Sequence, residues 1–275
     1  MRLTFVQPLR ELRPFIESFW VFESDSGLPA ADASIAAPNG CAKLVIPYLN
    51  SLLSCHPGER TQETKEHGLY FVGVQQSPTF LTSSPRETGF IVVEFSPQGA
   101  CRFLDVSMAE TTDGLFPFED LRARIGREMR EALCNLEGVD QKVRFVQNRL
   151  TGLLRSGRRS SGVVDYAVAT LRATGGQTTI KALERQTGYS NRYLEILFKE
   201  QVGLSPKALS RIFRFQRLYE GWARGQGYDS LKHQSYDYYH DQSHFAKEFK
   251  QFTGYPPRRF ADEISNEFGR RLALK

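Results

Sequence analysis

Apolar positions in the first hundred residues come as short runs, and from about Gln98 they settle into a helical period. Phe19–Glu23, Ala42–Tyr48, Leu69–Val74, Thr79–Leu81 and Phe90–Phe95 are predicted strands, punctuated by the turn formers Pro38-Asn39-Gly40, Pro57-Gly58 and Ser96-Pro97. Phe118–Glu137 and Val139–Arg155 then predict a pair of helices broken at Gly138. Leu121, Ile125, Met129, Ala132, Leu133 and Leu136 form an apolar stripe on the first of them. The stripe fits either the core of its own domain or a dimer seam.

Arg155-Ser156-Gly157-Arg158-Arg159-Ser160-Ser161-Gly162 has no apolar anchor and predicts a linker over 156–162. Beyond it every segment reads as helix: Val163–Ala173, Thr179–Thr187, Asn191–Val202, Pro206–Trp222, Ser230–Tyr238, Gln242–Phe252 and Pro256–Ser265. Two of these segments repeat one pattern. Ser190, Leu194, Phe198, Lys199, Gly203, Pro206 and Leu209 reappear 51 positions later as Asp241, Phe245, Phe249, Lys250, Gly254, Pro257 and Phe260. Each copy opens on a good N-cap residue, places large apolar side chains one and two turns on, and closes with Gly, then Pro. The helix at Pro206–Trp222 would join the copies rigidly. One short amphipathic helix presented twice predicts contact with two neighbouring DNA grooves.

Charge sharpens that expectation. The net charge is +5; residues from Gly162 onward hold 18 basic and 12 acidic side chains (+6), and the remaining 18 and 19 leave −1 for residues 1–161. A cationic excess on the segment with the repeat suits a phosphate backbone. On a helical wheel, Leu194, Leu197 and Phe198 share one face, and Arg192, Ile196 and Lys199 the opposite one. Likewise Phe245, Phe249 and Phe252 oppose Ser243, Lys247 and Lys250. In a major groove Arg or Lys meets guanine, an aliphatic side chain meets the thymine methyl, and the Gln242 amide matches adenine. Lys199, Lys250, Arg211, Arg214 and the helix N-termini are the expected phosphate contacts. Taken singly, each charge also fits a solvated helix face, and His244 fits packing at its helix start.

Ser190-Asn191-Arg192-Tyr193-Leu194, Phe198-Lys199, Gly203 and Ser205-Pro206, followed by Asp241-Gln242-Ser243-His244-Phe245, Phe249-Lys250, Gly254 and Pro257, closely resemble the AraC/XylS family of bacterial transcription regulators. The resemblance spans roughly Val163 to Asp262. It implies two helix-turn-helix units joined by a long helix, with base-facing slots at Arg192, Glu195 and Ile196 and at Gln242, Ser243 and Lys247. The implied chain is α+β: a β-rich, barrel-like sensor or dimerisation domain with a helical pair over 1–155, the linker, and an all-α DNA-binding domain over 163–266. An activator controlled by a small effector or by dimerisation is implied, with double-stranded DNA, RNA polymerase and a second copy as partners and no cofactor. The front half carries looser landmarks in Pro38-Asn39-Gly40, Phe71-Val72-Gly73-Val74 and Phe95-Ser96-Pro97-Gln98-Gly99-Ala100. Tyr48, Tyr70, Gln75, Gln76 and Glu94 lie on predicted strands and fit a pocket lining or plain structural roles alike.

Some positions depart from the family. Glu184 and Gln234 stand where it packs a small residue inside the first helix of each unit. A buried, unpaired Glu184 would cost several kcal/mol, so that helix is expected to rotate or tilt. Tyr238 and Tyr239 stand where the family turns on glycine, and a bulky residue at positive φ is an outlier, so that turn is expected to differ.

The longest near-continuous apolar run, Phe90–Phe95, is far too short to cross a bilayer, and the first residues lack a signal-peptide layout; the expected location is the cytoplasm. Cys41, Cys55, Cys101 and Cys134 are scattered without a Cys-x-x-Cys pair, the usage of reduced core thiols. A metal-dependent β-barrel enzyme needs His or carboxylate ligands converging from neighbouring strands. The front half offers His56 and His67, both in loop-like sequence, so no metal site and no catalytic residue is expected. A protein-interaction module built on the repeated helices is the other class, and it predicts binding that depends weakly on salt.

Overall fold

Thr88–Phe95 is buried at every position, and this strand organises the β-rich half of the computed structural model, which describes residues 1–156 and 161–274. The strands are β1 (Arg2–Val6), β2 (Ile16–Ser24), β3 (Ile35–Ala36), β4 (Lys43–Leu49), β5 (Leu52–Cys55), β6 (Gln62–Thr64), β7 (Tyr70–Val72), β8 (Thr79–Ser83), β9 (Thr88–Phe95) and β10 (Leu115–Pro117). They pair antiparallel in two open sheets, ordered β1-β2-β9-β4-β7-β10 and β3-β8-β5-β6. The barrel-like expectation thus takes the form of two facing sheets. All five predicted strands are present, within or overlapping β2, β4, β7, β8 and β9. The other five are short or lie at edges with mixed polarity, where no apolar run marks them.

Successive strand residues point to opposite faces. Phe19 and Val21 of β2 join Leu12, Phe103 and Phe118, while Trp20 and Phe22 pack with Phe90 and Leu52 toward the smaller sheet. A sheet covered on both faces explains why β9 reads as an unbroken apolar run instead of an alternation. The helical pair follows as α1 (Phe118–Leu121), α2 (Ala123–Cys134) and α3 (Val139–Ser156). Arg122, at φ −146° and ψ 71°, splits the first predicted helix, and Gly138 at φ +74° separates the pair as expected. Met129 and Leu133 are buried in the same core with Leu121 and Ile125 packed against it, so these four stripe residues pack within their own domain.

Residues 157–160, the middle of the expected linker, lie outside the described residues. Beyond them come α4 (Gly162–Ala173), α5 (Ile180–Thr187), α6 (Asn191–Gln201), α7 (Pro206–Ala223), α8 (Tyr228–Ser235), α9 (Gln242–Thr253), α10 (Pro257–Glu263) and α11 (Glu267–Ala273), the last absent from the predicted set. The 18 residues of α7 span about 27 Å at roughly 1.5 Å per residue. Phe215, Leu218, Tyr219 and Trp222 make α7 the centre of a core that also takes in Ile35 and Val74 from the β-rich half. Gln216 Nε2 donates to Pro38 O at 2.6 Å and Arg172 pairs with Glu17 at 2.6 Å, which ties the halves further. Among the described residues no helix is long and apolar enough to cross a membrane.

Candidate nucleic-acid interface

Ser190 starts α6 by accepting from the Tyr193 amide at 3.4 Å, and Asp241 starts α9 by accepting from the His244 amide at 2.7 Å. Each cap satisfies an amide that the helix itself leaves open. Below the caps, Leu194 and Phe198 of α6, and Phe245, Phe249 and Phe252 of α9, are buried. Burial of each phenyl ring stabilises its unit by roughly 2–3 kcal/mol. That anchoring leaves the opposite faces free. Arg192, Glu195, Ile196 and Lys199 are all exposed, and Ile196, at 55%, is the most exposed large aliphatic side chain among the described residues. Ser243, Lys247 and Lys250 are exposed on α9. Gln242 is half-buried, and its Nε2 donates to Tyr236 Oη at 2.6 Å, which leaves its second N–H and its amide oxygen for other partners.

Arg211 and Arg214 are not placed as expected. Both guanidiniums turn inward to Glu248, which is 1% exposed: Arg211 Nε donates at 2.7 Å and Arg214 at 3.3 Å. Tyr239 Oη donates to the same carboxylate at 2.9 Å, and Arg211 also reaches Gln251 Oε1 at 2.6 Å. Burial, then the neighbouring Glu248, pushes the Tyr239 hydroxyl above the usual tyrosine range. A buried carboxylate needs such partners, so both arginines serve the interior of the second unit, with the Arg211 side chain still 32% exposed. Glu248 is the residue sequence reading missed. Its signal was its place three positions after Phe245 and one before Phe249, on the apolar face of the wheel.

The departures in the scaffold resolve locally. Glu184 is half-buried and accepts from the Asn191 amide at 2.6 Å, adding a second cap to α6; pairing replaces the expected rotation of its helix. Gln234 lies against Gly221 of α7, where an added Cβ would stand 3.0 Å from its Oε1. The turn at Tyr238 and Tyr239 does differ. No residue from 236 to 241 takes positive φ; Tyr239 N donates to Ser235 O at 2.8 Å and right-handed turns continue past α8.

Both recognition-type helices end against the β-rich half at equivalent glycines. A Cβ on Gly203 would stand 2.6 Å from Thr112 Oγ1 and 3.0 Å from Val74 Cγ1, and one on Gly254 would stand 2.9 Å from the Phe80 ring. Thr112 Oγ1 donates to Gly203 O at 2.9 Å. The C-terminal ends of α6 and α9 are therefore docked, while the side chains nearer their N-termini stay open to a partner. Of the strand residues considered for a pocket, Gln75 lines the cavity between the sheets; Glu94 lines a separate one beside Arg172. Among the described residues, no group of three His, Cys, Asp or Glu is placed to hold a metal ion.

Residues 4–117 match the family described as a domain of unknown function (DUF6597), and residues 183–263 match the helix-turn-helix domain family. No curated protein matches the chain. Among solved structures it is similar to ToxT from Vibrio cholerae at 11% identity, covering 90% of this chain and 99% of that one with a TM-score of 0.49. It is also similar to unsaturated fatty acid bound ToxT from strain SCE256, at 12% identity over 96% and 98% of the two chains with a TM-score of 0.47. A cupin-2 domain containing protein from Shewanella frigidimarina aligns at 8% identity over 34% of this chain and 80% of its own, with a TM-score of 0.25.

Proposed function

We propose, from the premise that residues 183–263 are an AraC-type helix-turn-helix domain, that this chain is a sequence-specific DNA-binding transcription regulator controlled by a small effector. The observation that carries the reading is the matched pair of capped helices, α6 and α9. Each is anchored by buried apolar side chains and presents exposed basic side chains, joined on α6 by the bare aliphatic Ile196. In this reading Arg192, Glu195 and Ile196 of α6, and Gln242, Ser243 and Lys247 of α9, face bases. Lys199 and Lys250 face phosphates, as do the open amides at the helix starts.

The division into a sensor over 1–155 and a DNA-binding domain over 163–266, joined at 156–162, belongs to the same proposal. The cavity between the two sheets supports the sensor role. Activation through RNA polymerase and pairing of two copies extend the reading, and an in vitro transcription assay with and without a second half-site measures both.

The central test is DNA affinity of the purified chain, on a site selected from random duplexes, as a function of salt. A steep, linear fall of log affinity with log salt is expected, because each phosphate contact releases a counterion. Arg192→Ala is expected to relax preference at one base position by about 1–3 kcal/mol. A flat salt response would move the repeated helices to the protein-binding class.

A further inference from the structure

The cavity between the two sheets of the β-rich half has a volume of about 90 Å³. Trp20, Leu52, Phe90 and Val92 give it an apolar wall. Two polar atoms on its lining residues lack hydrogen-bond partners: the Trp20 indole Nε1 and the Gln75 Oε1, on side chains 3% and 7% exposed. A buried donor and a buried acceptor without partners on the lining of one cavity point to a ligand that supplies both. Yet small-molecule pockets usually measure roughly 300–1,000 Å³, several times what is open here.

The missing volume is filled by the chain itself. Phe268 and Leu272 of α11 line the cavity, and Phe268, 1% exposed, stands edge-on to Trp20 and Phe22 with ring centroids 6.2 and 6.0 Å apart. Residues of the β-rich half hold α11 in place. Asp32 accepts from the Glu267 amide at 2.6 Å and the Phe268 amide at 3.3 Å. The buried Asn266 side chain pairs with β3 as a strand residue would, accepting from Ile35 N at 2.8 Å and donating to Ile35 O at 3.1 Å. The same amide donates to Tyr219 Oη of α7 at 3.2 Å. One short segment thus closes the cavity and ties the sheet to the helix that joins the two repeated units.

We infer that α11 is an internal occupant of the effector site, displaced when an apolar, aromatic small molecule carrying one hydrogen-bond donor and one acceptor enters between the sheets. This rests on the reading of the front half as an effector domain. The ligand's ring takes the place of Phe268, its acceptor meets Trp20 Nε1 and its donor meets Gln75 Oε1. Seating it lifts Asn266 off Ile35 and Tyr219, so occupancy of the cavity is passed to α7 by the loss of a tie between the halves.

The chain's two tryptophans allow a test without knowing the natural effector. Trp20 is in the cavity wall; Trp222 is on α7, outside it, beneath the Arg270 guanidinium of α11 at 5.0 Å. Benzyl alcohol, one ring with one hydroxyl, is titrated into the full-length chain, Phe268→Ala and Asn266→Ala. Phe268→Ala is expected to bind at least ten times more tightly than the unaltered chain. Asn266→Ala leaves the cavity wall untouched and is expected to gain affinity as well. In the unaltered chain, saturation is expected to change the Trp222 emission, read as the difference from a Trp222→Phe control that keeps Trp20 and the cavity wall. Equal affinities in the three chains, or binding with Trp222 emission unmoved, would overturn the proposal. Duplex binding is measured in parallel on the selected site: failure of the unaltered chain to bind any DNA sinks the regulator reading, while the titration alone decides the role of α11.

Discussion

Gly188 and Tyr239 occupy the same place in the two repeated units, 51 positions apart, and they end their helices differently. Gly188 caps α5 at φ +74°, and Gly188–Ser190 leads straight into α6. Tyr239 lies in a longer connection, Tyr236–Asp241, that continues in right-handed turns through Tyr239, ends on the extended Asp241 and turns the tyrosine ring into the core. The contrast extends one level deeper. Leu197 in the first unit packs on the apolar core, and its counterpart, Glu248, is a buried carboxylate held by Arg211, Arg214 and Tyr239. At this matched position the two units are therefore held by different physics, the first by apolar contact and the second by a charge cluster set among its buried rings. An apolar contact tolerates small shifts, whereas a buried carboxylate holds its unit in the one geometry that pairs it.

The largest break in this comparison should come from Glu248→Ala. It strands two guanidiniums and the Tyr239 hydroxyl, and about 3 kcal/mol of stability is expected to go in denaturant unfolding. Leu197→Ala at the matching place is half-buried and should cost about 1–2 kcal/mol. Comparable losses at the two positions would mean that the charge cluster does not hold the second unit together. Next in size is Gly188→Ala. Nothing lies within 4 Å of the added Cβ, so only the left-handed backbone is penalised, at about 1–2 kcal/mol in thermal or chemical unfolding. No change would show that this turn can adopt the right-handed form of the second unit. The smallest effects belong to the caps. Ser190→Ala and Asp241→Ala should each cost about 1 kcal/mol. Only the Asp241 loss should shrink, by a few tenths of a kcal/mol, when unfolding is repeated at high salt, because its charge also meets the helix dipole.

Legibility followed chemistry along the chain. β2, β4 and β9 were readable because a two-sided sheet needs unbroken apolar runs, and α6 and α9 because cap, period and Gly-then-Pro stop agree in each copy. β5 and β6 were not, since strands of four and three residues are too short to carry such a run. α8 was expected at Ser230–Tyr238 and found at Tyr228–Ser235, because Tyr236 to Tyr239 continue in helical turns without an intact ladder. Among the site residues, Arg192, Ile196, Lys199, Ser243, Lys247 and Lys250 were legible as an exposed face from the wheel alone. Arg211 and Arg214 were not, because a cation on a helix reads the same whether it faces a phosphate or a buried carboxylate on another element.

The repeat, its spacing, the caps and the charge excess are local properties, settled by which residue follows which, and they were enough to determine a pair of outward-facing helices. The pairing of Glu248 across three elements, the docking of Gly203 and Gly254 on the β-rich half, and the seat of Phe268 between two sheets join residues distant along the chain. Such contacts depend on how finished surfaces meet, and no periodicity in the order of residues records that meeting; only the tertiary structure decided them.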